Sequence, residues 1–182
     1  MHDMMTQAAD RTANLITTVR EDQLDLPTPC SQFDVKGLIN HLEWVADLFA
    51  SLAAKGPMVE QREYAGDFPE RVRRMLAAWE SPQAWEGESP GMGLPMPTVA
   101  MMALFDLVVH GWDLSRAIGA PFQVEPEVVK TLLAFAEQMA PMGRQQGIFA
   151  EPVPVGPDAT EFDRLLGLVG RDPGWSAQAT QR

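Results

Sequence analysis

The segment 104–116 places three polar side chains on one stripe of an otherwise apolar helix. Asp106, His110 and Asp113 are separated by four and three residues, so they face the same side of an α-helix. The residues that flank this stripe are apolar: Leu104, Leu107, Val108 and Leu114. This pattern predicts a helix whose polar stripe faces protein rather than water. A carboxylate and an imidazole one turn apart on such a face indicate a metal-ligand pair that needs a further ligand from another helix.

The segment 34–52 is expected to supply that ligand. Asp34 resembles a helix N-cap, and the apolar residues after it recur at helical spacing: Val35, Leu38, Ile39, Leu42, Val45, Ala46, Phe49 and Leu52. His41 borders this apolar face, and the chain has only three histidines. Taken alone, a histidine in such a position is more often a hydrogen-bonded core residue than a ligand. The pair on the other helix favours ligation, so the sequence predicts a metal site formed by His41, Asp106 and His110.

Asp113 borders the same face as the predicted ligands. A tetrahedral ion with three protein ligands and an open position does not need a fourth side chain. We therefore expect that Asp113 does not bind the metal and either accepts a hydrogen bond from a ligand residue or holds the loop 28–33 in place. Cys30 lies in that loop, close to a predicted helix start. It is either a reactive thiol favoured by the helix dipole or, as is more common, a small buried residue.

Composition limits the class of protein. The 182 residues carry a net charge of −11, and a surface this acidic repels nucleic-acid phosphates and anionic lipids, which argues against both as partners. No apolar run approaches the ~20 residues of a membrane span, and no early segment resembles a signal peptide. The single cysteine excludes an internal disulfide and fits a reducing compartment. We therefore expect a cytoplasmic protein.

The order of helical and irregular segments predicts the fold class. No long segment alternates with period two, whereas helical periodicity recurs in segments at about 3–22, 34–52, 68–84, 98–117, 126–139 and 159–169. Thr98 is expected to cap the fourth helix and Gly119 to end it. The sequence predicts an all-α antiparallel four-helix bundle with an extra helix, in one domain spanning 1–182. Residues 141–182 are expected to be mostly an extended C-terminal strap, because prolines and glycines interrupt any periodicity there.

Three motifs carry a family resemblance: Thr28-Pro-Cys30, Asn40-His-Leu42, and the sequence VHGWDLSRAIG at 109–119. In this order and spacing they resemble the mycothiol-dependent maleylpyruvate isomerase N-terminal family, which is part of the DinB-like superfamily of metal-binding four-helix bundles. The segments 152–159 and 163–175 resemble a stand-alone subgroup known mainly as predicted metal-binding proteins. The resemblance covers nearly the whole chain.

The resemblance implies a zinc-type site with one histidine on the second helix and a carboxylate-x-x-x-His pair on the fourth. In this sequence those residues are His41, Asp106 and His110, which are the three that the periodicity selects. Two departures stand out. The isomerase relatives have Glu at the position of Asp106, and they have a separate C-terminal domain that contributes to substrate handling. Both departures weigh against isomerase activity on maleylpyruvate itself.

The expected chemistry follows from a site with three protein ligands. Such a site keeps a coordination position open, which is typical of catalytic zinc, and zinc lowers the pKa of a thiol or water bound there. Mycothiol as the thiol cosubstrate is implied by the resemblance alone. We therefore expect a divalent metal, zinc with Ni²⁺ and Fe²⁺ as alternatives. The divalent metal ion would activate a low-molecular-weight thiol for transfer to, or isomerisation of, a small electrophile.

Two other interpretations stay open at this point. The chain is a metal-binding module without catalysis, such as a sensor or an interaction protein, or it is a helical bundle whose His41 and His110 are merely hydrogen-bonded in the core. The partners expected for the catalytic interpretation are a small-molecule thiol and an electrophile. The oligomeric state is open, with a homodimer among the alternatives.

Overall fold

The computed structural model describes residues 1–177, and within that range it contains α-helices and short 3-10 helices but no β-strand. This confirms the all-α prediction. Among those residues no helix is long and apolar enough to cross a membrane. The chain divides into two compact units, residues 1–122 and the residues after 122. The expectation of one domain spanning the whole chain stays a prediction.

The first unit is a bundle of four helices. Its elements in chain order are α1 (His2–Ile16), a 3-10 helix (Glu21–Gln23), α2 (Val35–Ala53), α3 (Phe68–Trp79), a second 3-10 helix (Pro82–Trp85) and α4 (Met96–Ile118). Helices α1 and α2 each pack against both α3 and α4. The predicted four-helix arrangement is therefore present, and all the predicted site residues lie within this unit.

Helices α1 and α3 end earlier than predicted, for local reasons. After α1, the hydroxyls of Thr17 and Thr18 each donate a hydrogen bond to a carbonyl three residues back, which competes with continuation of the helix. After α3, Pro82 cannot continue an α-helix because it lacks an N–H and its ring clashes with the preceding turn. A 3-10 helix follows in both places.

Helix α4 begins before the predicted cap. Pro95 is its N-cap and Pro97 lies in its first turn, so Thr98 is inside the helix and the predicted cap is wrong. Proline suits the first turn because its fixed φ is helical and its missing N–H has no intrahelical acceptor there. The predicted end is confirmed: Gly119 has a left-handed φ of 70°, and its N–H donates to Ser115.

A close helix contact sets the position of α4 against α1. The hydroxyl of Thr12 on α1 donates to the carbonyl oxygen of Leu107 on α4 at 2.9 Å. One turn further along α4, a Cβ at Gly111 would lie 2.6 Å from the ring of Phe122 and 2.7 Å from the Thr12 hydroxyl. The absence of a side chain at Gly111 therefore permits this packing, directly next to the predicted ligand His110.

The second unit contains α5 (Pro126–Gln145) and α6 (Glu161–Leu168). Helix α5 extends past its predicted end at Met139 and includes Pro141, so the expected strap begins later than predicted. Residues 146–160 between the two helices are non-helical, as predicted for the strap. The short last helix is also confirmed.

Candidate metal centre

The three predicted ligands lie together where α2 packs against α4. One ligand atom from each of His41, Asp106 and His110 lies within 4.8 Å of the other two. His110 Nε2 is 3.6 Å from Asp106 Oδ1. The rings of His41 and His110 meet edge to face, with their centroids 4.9 Å apart. The structure thus brings the predicted set together, and ligation of a metal by this set stays a prediction.

Asp113 lies on the other side of the His110 ring. Its Oδ2 is 3.0 Å from His110 Nδ1, and its side chain is 0% exposed. The contact suits the neutral tautomer that carries its proton on Nδ1 and donates it to the carboxylate. Nε2, which faces Asp106, then carries a free lone pair and can ligate a metal. A buried carboxylate behind a histidine in this way is a common companion of metal ligands.

Aromatic side chains hold the His41 ring. Phe33 stacks on it with centroids 5.0 Å apart and planes 26° apart, and Trp44 packs at 5.5 Å and 47°. Trp44 is itself fixed, since its indole Nε1 donates to the carbonyl oxygen of Val59 at 2.8 Å. Phe33 also meets His110 edge-on at 6.4 Å. These rings limit the orientations of His41 and form apolar walls beside the three ligands.

The site is closed on its inner side and reachable from solvent on the outer side. His110 is 8% exposed, whereas His41 is half-buried and the Asp106 side chain is 25% exposed. Two imidazoles and one carboxylate are a donor set that suits zinc and also Ni²⁺ and Fe²⁺. The residues therefore fit a divalent ion with a position open to an incoming molecule.

The loop before α2 brings a further group to this site. The Thr28 hydroxyl bonds the carbonyl oxygens of Cys30 at 2.9 Å and of Phe33 at 2.8 Å. Cys30 is buried, and its sulfur lies within 4.8 Å of ligand atoms of His110 and Asp113. Sequence reasoning offered a contact between Asp113 and this loop as one alternative, but it did not place the Cys30 sulfur beside His110. The Thr-Pro-Cys motif was the available signal, but no spacing rule connects a loop before α2 with a stripe on α4.

A polar cleft lies where α2, α3 and the segment between them meet. It has a volume of about 360 Å³ and is lined by Asp47, Val59, Glu60, Arg62, Asp67, Arg71 and Arg74. Arg71 is buried and forms ion pairs with Asp47 and Asp67. Burial by itself lowers the pKa of Arg71, but the hydrogen-bonded carboxylate of Asp67 and the neighbouring carboxylates outweigh it, so the pKa is raised. Val59, which lines the cleft, accepts a hydrogen bond from Trp44 through its carbonyl oxygen.

A second buried carboxylate fixes the segment that borders this cleft. Glu43 on α2 is 0% exposed, and its two oxygens accept hydrogen bonds from the backbone N–H groups of Ala65 and Asp67. The pKa of the neighbouring Tyr64 is raised, mainly because of burial and additionally because of the negative charge of Glu43. Glu43 thus ties the connection between α2 and α3 to the bundle.

Comparison with known proteins finds a family match in the first part of the chain. Residues 5–71 match the mycothiol maleylpyruvate isomerase N-terminal domain. This match confirms the family resemblance and links the chain to mycothiol-related proteins. The matched range contains Cys30 and His41, while Asp106 and His110 on α4 lie outside it.

Two curated proteins extend the similarity along the chain. Both are uncharacterized proteins of Mycobacterium tuberculosis, from strains CDC 1551 and H37Rv, and each is 28% identical over 179 residues. The alignment covers 91% of this chain and 94% of each relative, so it reaches beyond the matched family segment. No solved structure is significantly similar to the chain.

Proposed function

We propose that the protein binds a divalent metal ion, zinc in the first place, through His41, Asp106 and His110. At this site a bound ion would lower the pKa of a low-molecular-weight thiol, with mycothiol as the cosubstrate, for transfer to or isomerisation of a small electrophile. The observation that carries this proposal is the meeting of two imidazoles and one carboxylate within 4.8 Å, on two packed helices. The match to a mycothiol-related family supports the choice of thiol.

Each side chain around the proposed metal ion has a separate role. Zinc supplies a lowered pKa for a thiol that occupies its open position. The donor set contributes one negative charge, from Asp106, so a divalent site keeps a net positive charge that favours an anionic thiolate. Asp113 orients His110 through Nδ1. Phe33 and Trp44 hold His41 and keep water from the apolar side of the site.

The polar cleft favours a polar rather than an apolar thiol. Both signs of charge line it, and one of its lining residues, Val59, accepts a hydrogen bond from Trp44, which packs on His41. This arrangement supports a hydrophilic cosubstrate such as mycothiol. The expected cytoplasmic location, the absence of nucleic-acid and membrane partners, and a homodimer stay predictions.

Metal analysis of untagged protein tests the ligand set. We expect His41→Ala and His110→Ala, each made in Cys30→Ala protein so that the thiol holds no ion, to lose most of the bound metal while circular dichroism shows unchanged helix content. His2→Ala is the matched control, because the third histidine contacts the Leu76 carbonyl oxygen rather than the site and should keep full stoichiometry. Full metal stoichiometry in both site variants would refute the proposed ligand set.

A thiol-consumption assay tests the activity. Mycothiol, with glutathione as the comparison thiol, is incubated with small electrophiles in the presence of metal-loaded or chelated protein. We expect chelator-sensitive consumption of mycothiol that His41→Ala abolishes. Metal binding with neither thiol consumption nor thiol-dependent isomerisation of any electrophile would leave the non-catalytic metal-binding module as the function.

A further inference from the structure

We propose that Cys30, His110 and Asp113 form a second, inner ligand set that binds a thiophilic metal ion. We call His41, Asp106 and His110 the outer set. His110 belongs to both sets, so a metal ion in the inner set excludes one from the outer set. This exclusion rests on the proposed function, whereas the inner site does not.

The inner set has the donors and the spacing of a metal site. One ligand atom from each of Cys30, His110 and Asp113 lies within 4.8 Å of the other two, and His110 Nδ1 is 3.0 Å from Asp113 Oδ2. Ligand atoms around a tetrahedral ion lie about 3.5 Å apart, given metal–ligand bonds of about 2.0–2.3 Å. Small side-chain rotations therefore close this set on an ion.

The backbone around Cys30 is fixed before any ion arrives. The Thr28 hydroxyl bonds the Cys30 carbonyl oxygen, and the backbone N–H of Phe33 donates to the same oxygen at 3.0 Å. Four residues after Cys30, the carboxylate of Asp34 caps α2 by accepting from the N–H of Gly37 at 2.7 Å. The sulfur is thus presented by a bonded loop, and the other two donors sit one turn apart on a buried helix.

Charge and softness distinguish the two sets. The inner set offers a thiolate and a carboxylate, which neutralise a divalent ion in a place where all three side chains are buried. The outer set offers one negative charge and is partly exposed. Thiolate ligands favour soft ions such as Cd²⁺. On binding, the Cys30 S–H bond breaks, its proton passes to the solvent, and a sulfur–metal bond forms without any change of oxidation state.

The sharing of His110 makes the two sets exclusive. With an ion in the outer set, Nδ1 keeps its proton on the Asp113 side and Nε2 ligates. With an ion in the inner set, Nδ1 and Asp113 both bind the metal, so the neutral ring carries its proton on Nε2 and cannot ligate the outer ion. A thiophilic ion should therefore displace zinc from the outer set.

Absorption spectroscopy of metal-free protein titrated with Cd²⁺ or Co²⁺, with a phosphine as reductant, tests the inner site. We expect a thiolate-to-metal charge-transfer band that saturates at one ion per chain. Because the chain has a single cysteine, any such band reports Cys30. Cys30→Ser should abolish the band, with Cys30→Ala as the second variant in case the first does not fold. His41→Ala and Asp106→Asn should retain it.

The controls separate the two proposals. His110→Ala and Asp113→Asn should each lower the metal affinity read from the band by tenfold or more. Loss of a group that supports a metal ligand typically lowers metal affinity by about 10- to 100-fold. An unchanged metal affinity in both variants would show that the Cys30 thiolate binds the ion without the other two side chains, and it would overturn the inner site. The absence of any band would also overturn it. The exclusion is tested by adding Cd²⁺ to zinc-loaded protein and following the released zinc with a chromophoric chelator. If the outer set does not bind zinc, the charge-transfer band still forms but no zinc is released.

Discussion

Replacing Asp113 with Asn tests how the two carboxylates of α4 differ. The substitution keeps the side-chain volume and removes the charge from a group that is 0% exposed and 3.0 Å from His110 Nδ1. The new amide oxygen can still accept from Nδ1, but it holds the ring less strongly, and its NH₂ group is left in a buried place. His110 is therefore less well oriented, while every member of the outer set is still present.

The expected magnitude is a partial loss of zinc affinity. Loss of a carboxylate behind a ligating histidine costs about 10- to 100-fold in metal affinity. That range equals about 1.4–2.7 kcal/mol of binding free energy. Asp106→Asn is the matched control, because it makes the same chemical change on the same helix but removes a ligand. We expect Asp106→Asn to abolish stoichiometric binding when both variants are made in Cys30→Ala protein, which lacks the thiolate of the inner set.

Competition titration measures both variants. Metal-free protein is titrated with Zn²⁺ against a chromophoric chelator at about pH 7.5, where ordinary histidines are neutral, and thermal melts confirm that each variant is folded. Complete loss of zinc in Asp113→Asn, equal to that in Asp106→Asn, would show that the wrong carboxylate was assigned as the ligand. An unchanged dissociation constant would show that the Asp113–His110 contact does not support metal binding.

Three further predictions concern stability and protonation. Gly111→Ala should lower the unfolding free energy, measured by urea denaturation, by about 1–3 kcal/mol, because the new Cβ would lie 2.6 Å from the Phe122 ring. Gly156→Ala is the control and should not lower it, because the space around Gly156 is open. Equal effects of the two substitutions would refute the packing argument. Tyr64 is the only tyrosine, so tyrosinate absorbance should titrate with a midpoint above 10.0 that Glu43→Gln lowers only in part, because burial is the larger cause. The folded state then holds the Tyr64 proton more tightly, so stability falls as the pH rises from 10.0 towards the raised pKa; a midpoint at 10.0 would contradict this. Chelation should lower the melting temperature at about pH 7.5 and much less at about pH 5, because imidazoles ligate only when neutral; an equal effect at both values would argue against histidine ligands.

The proximity of the predicted ligands was accessible from sequence because periodicity fixes which residues share a helix face. Asp106 and His110 had to lie on one stripe once the segment was helical, and apolar neighbours had to turn that stripe inward. The pairing with His41 needed one further assumption, that two strongly apolar helices pack on each other. The structure meets that assumption, since α2 packs against α4.

The parts that sequence reasoning missed depend on contacts between distant segments. Cys30 reaches His110 because a side-chain hydroxyl, that of Thr28, bends the loop through two backbone carbonyls. No periodicity describes such a loop. The end of α5 was missed for a different reason: Pro141 signals termination, yet the helix continues through it to Gln145. The burial of Arg71 depends on carboxylates from α2 and from the residue before α3.

The position of His110 within α4 explains why one helix can serve two ligand sets. Its two ring nitrogens face opposite carboxylates, Asp106 one turn before it and Asp113 one turn after it. The first carboxylate is partly exposed and lies beside a half-buried histidine, so under the proposed function that side would admit an exchangeable ion and an incoming thiol. The second is fully buried and lies beside the only cysteine, so under the second proposal that side would hold its ion with little exchange. A neutral His110 ring carries one proton on one of its two nitrogens, so an ion bound on one side would leave the other nitrogen protonated.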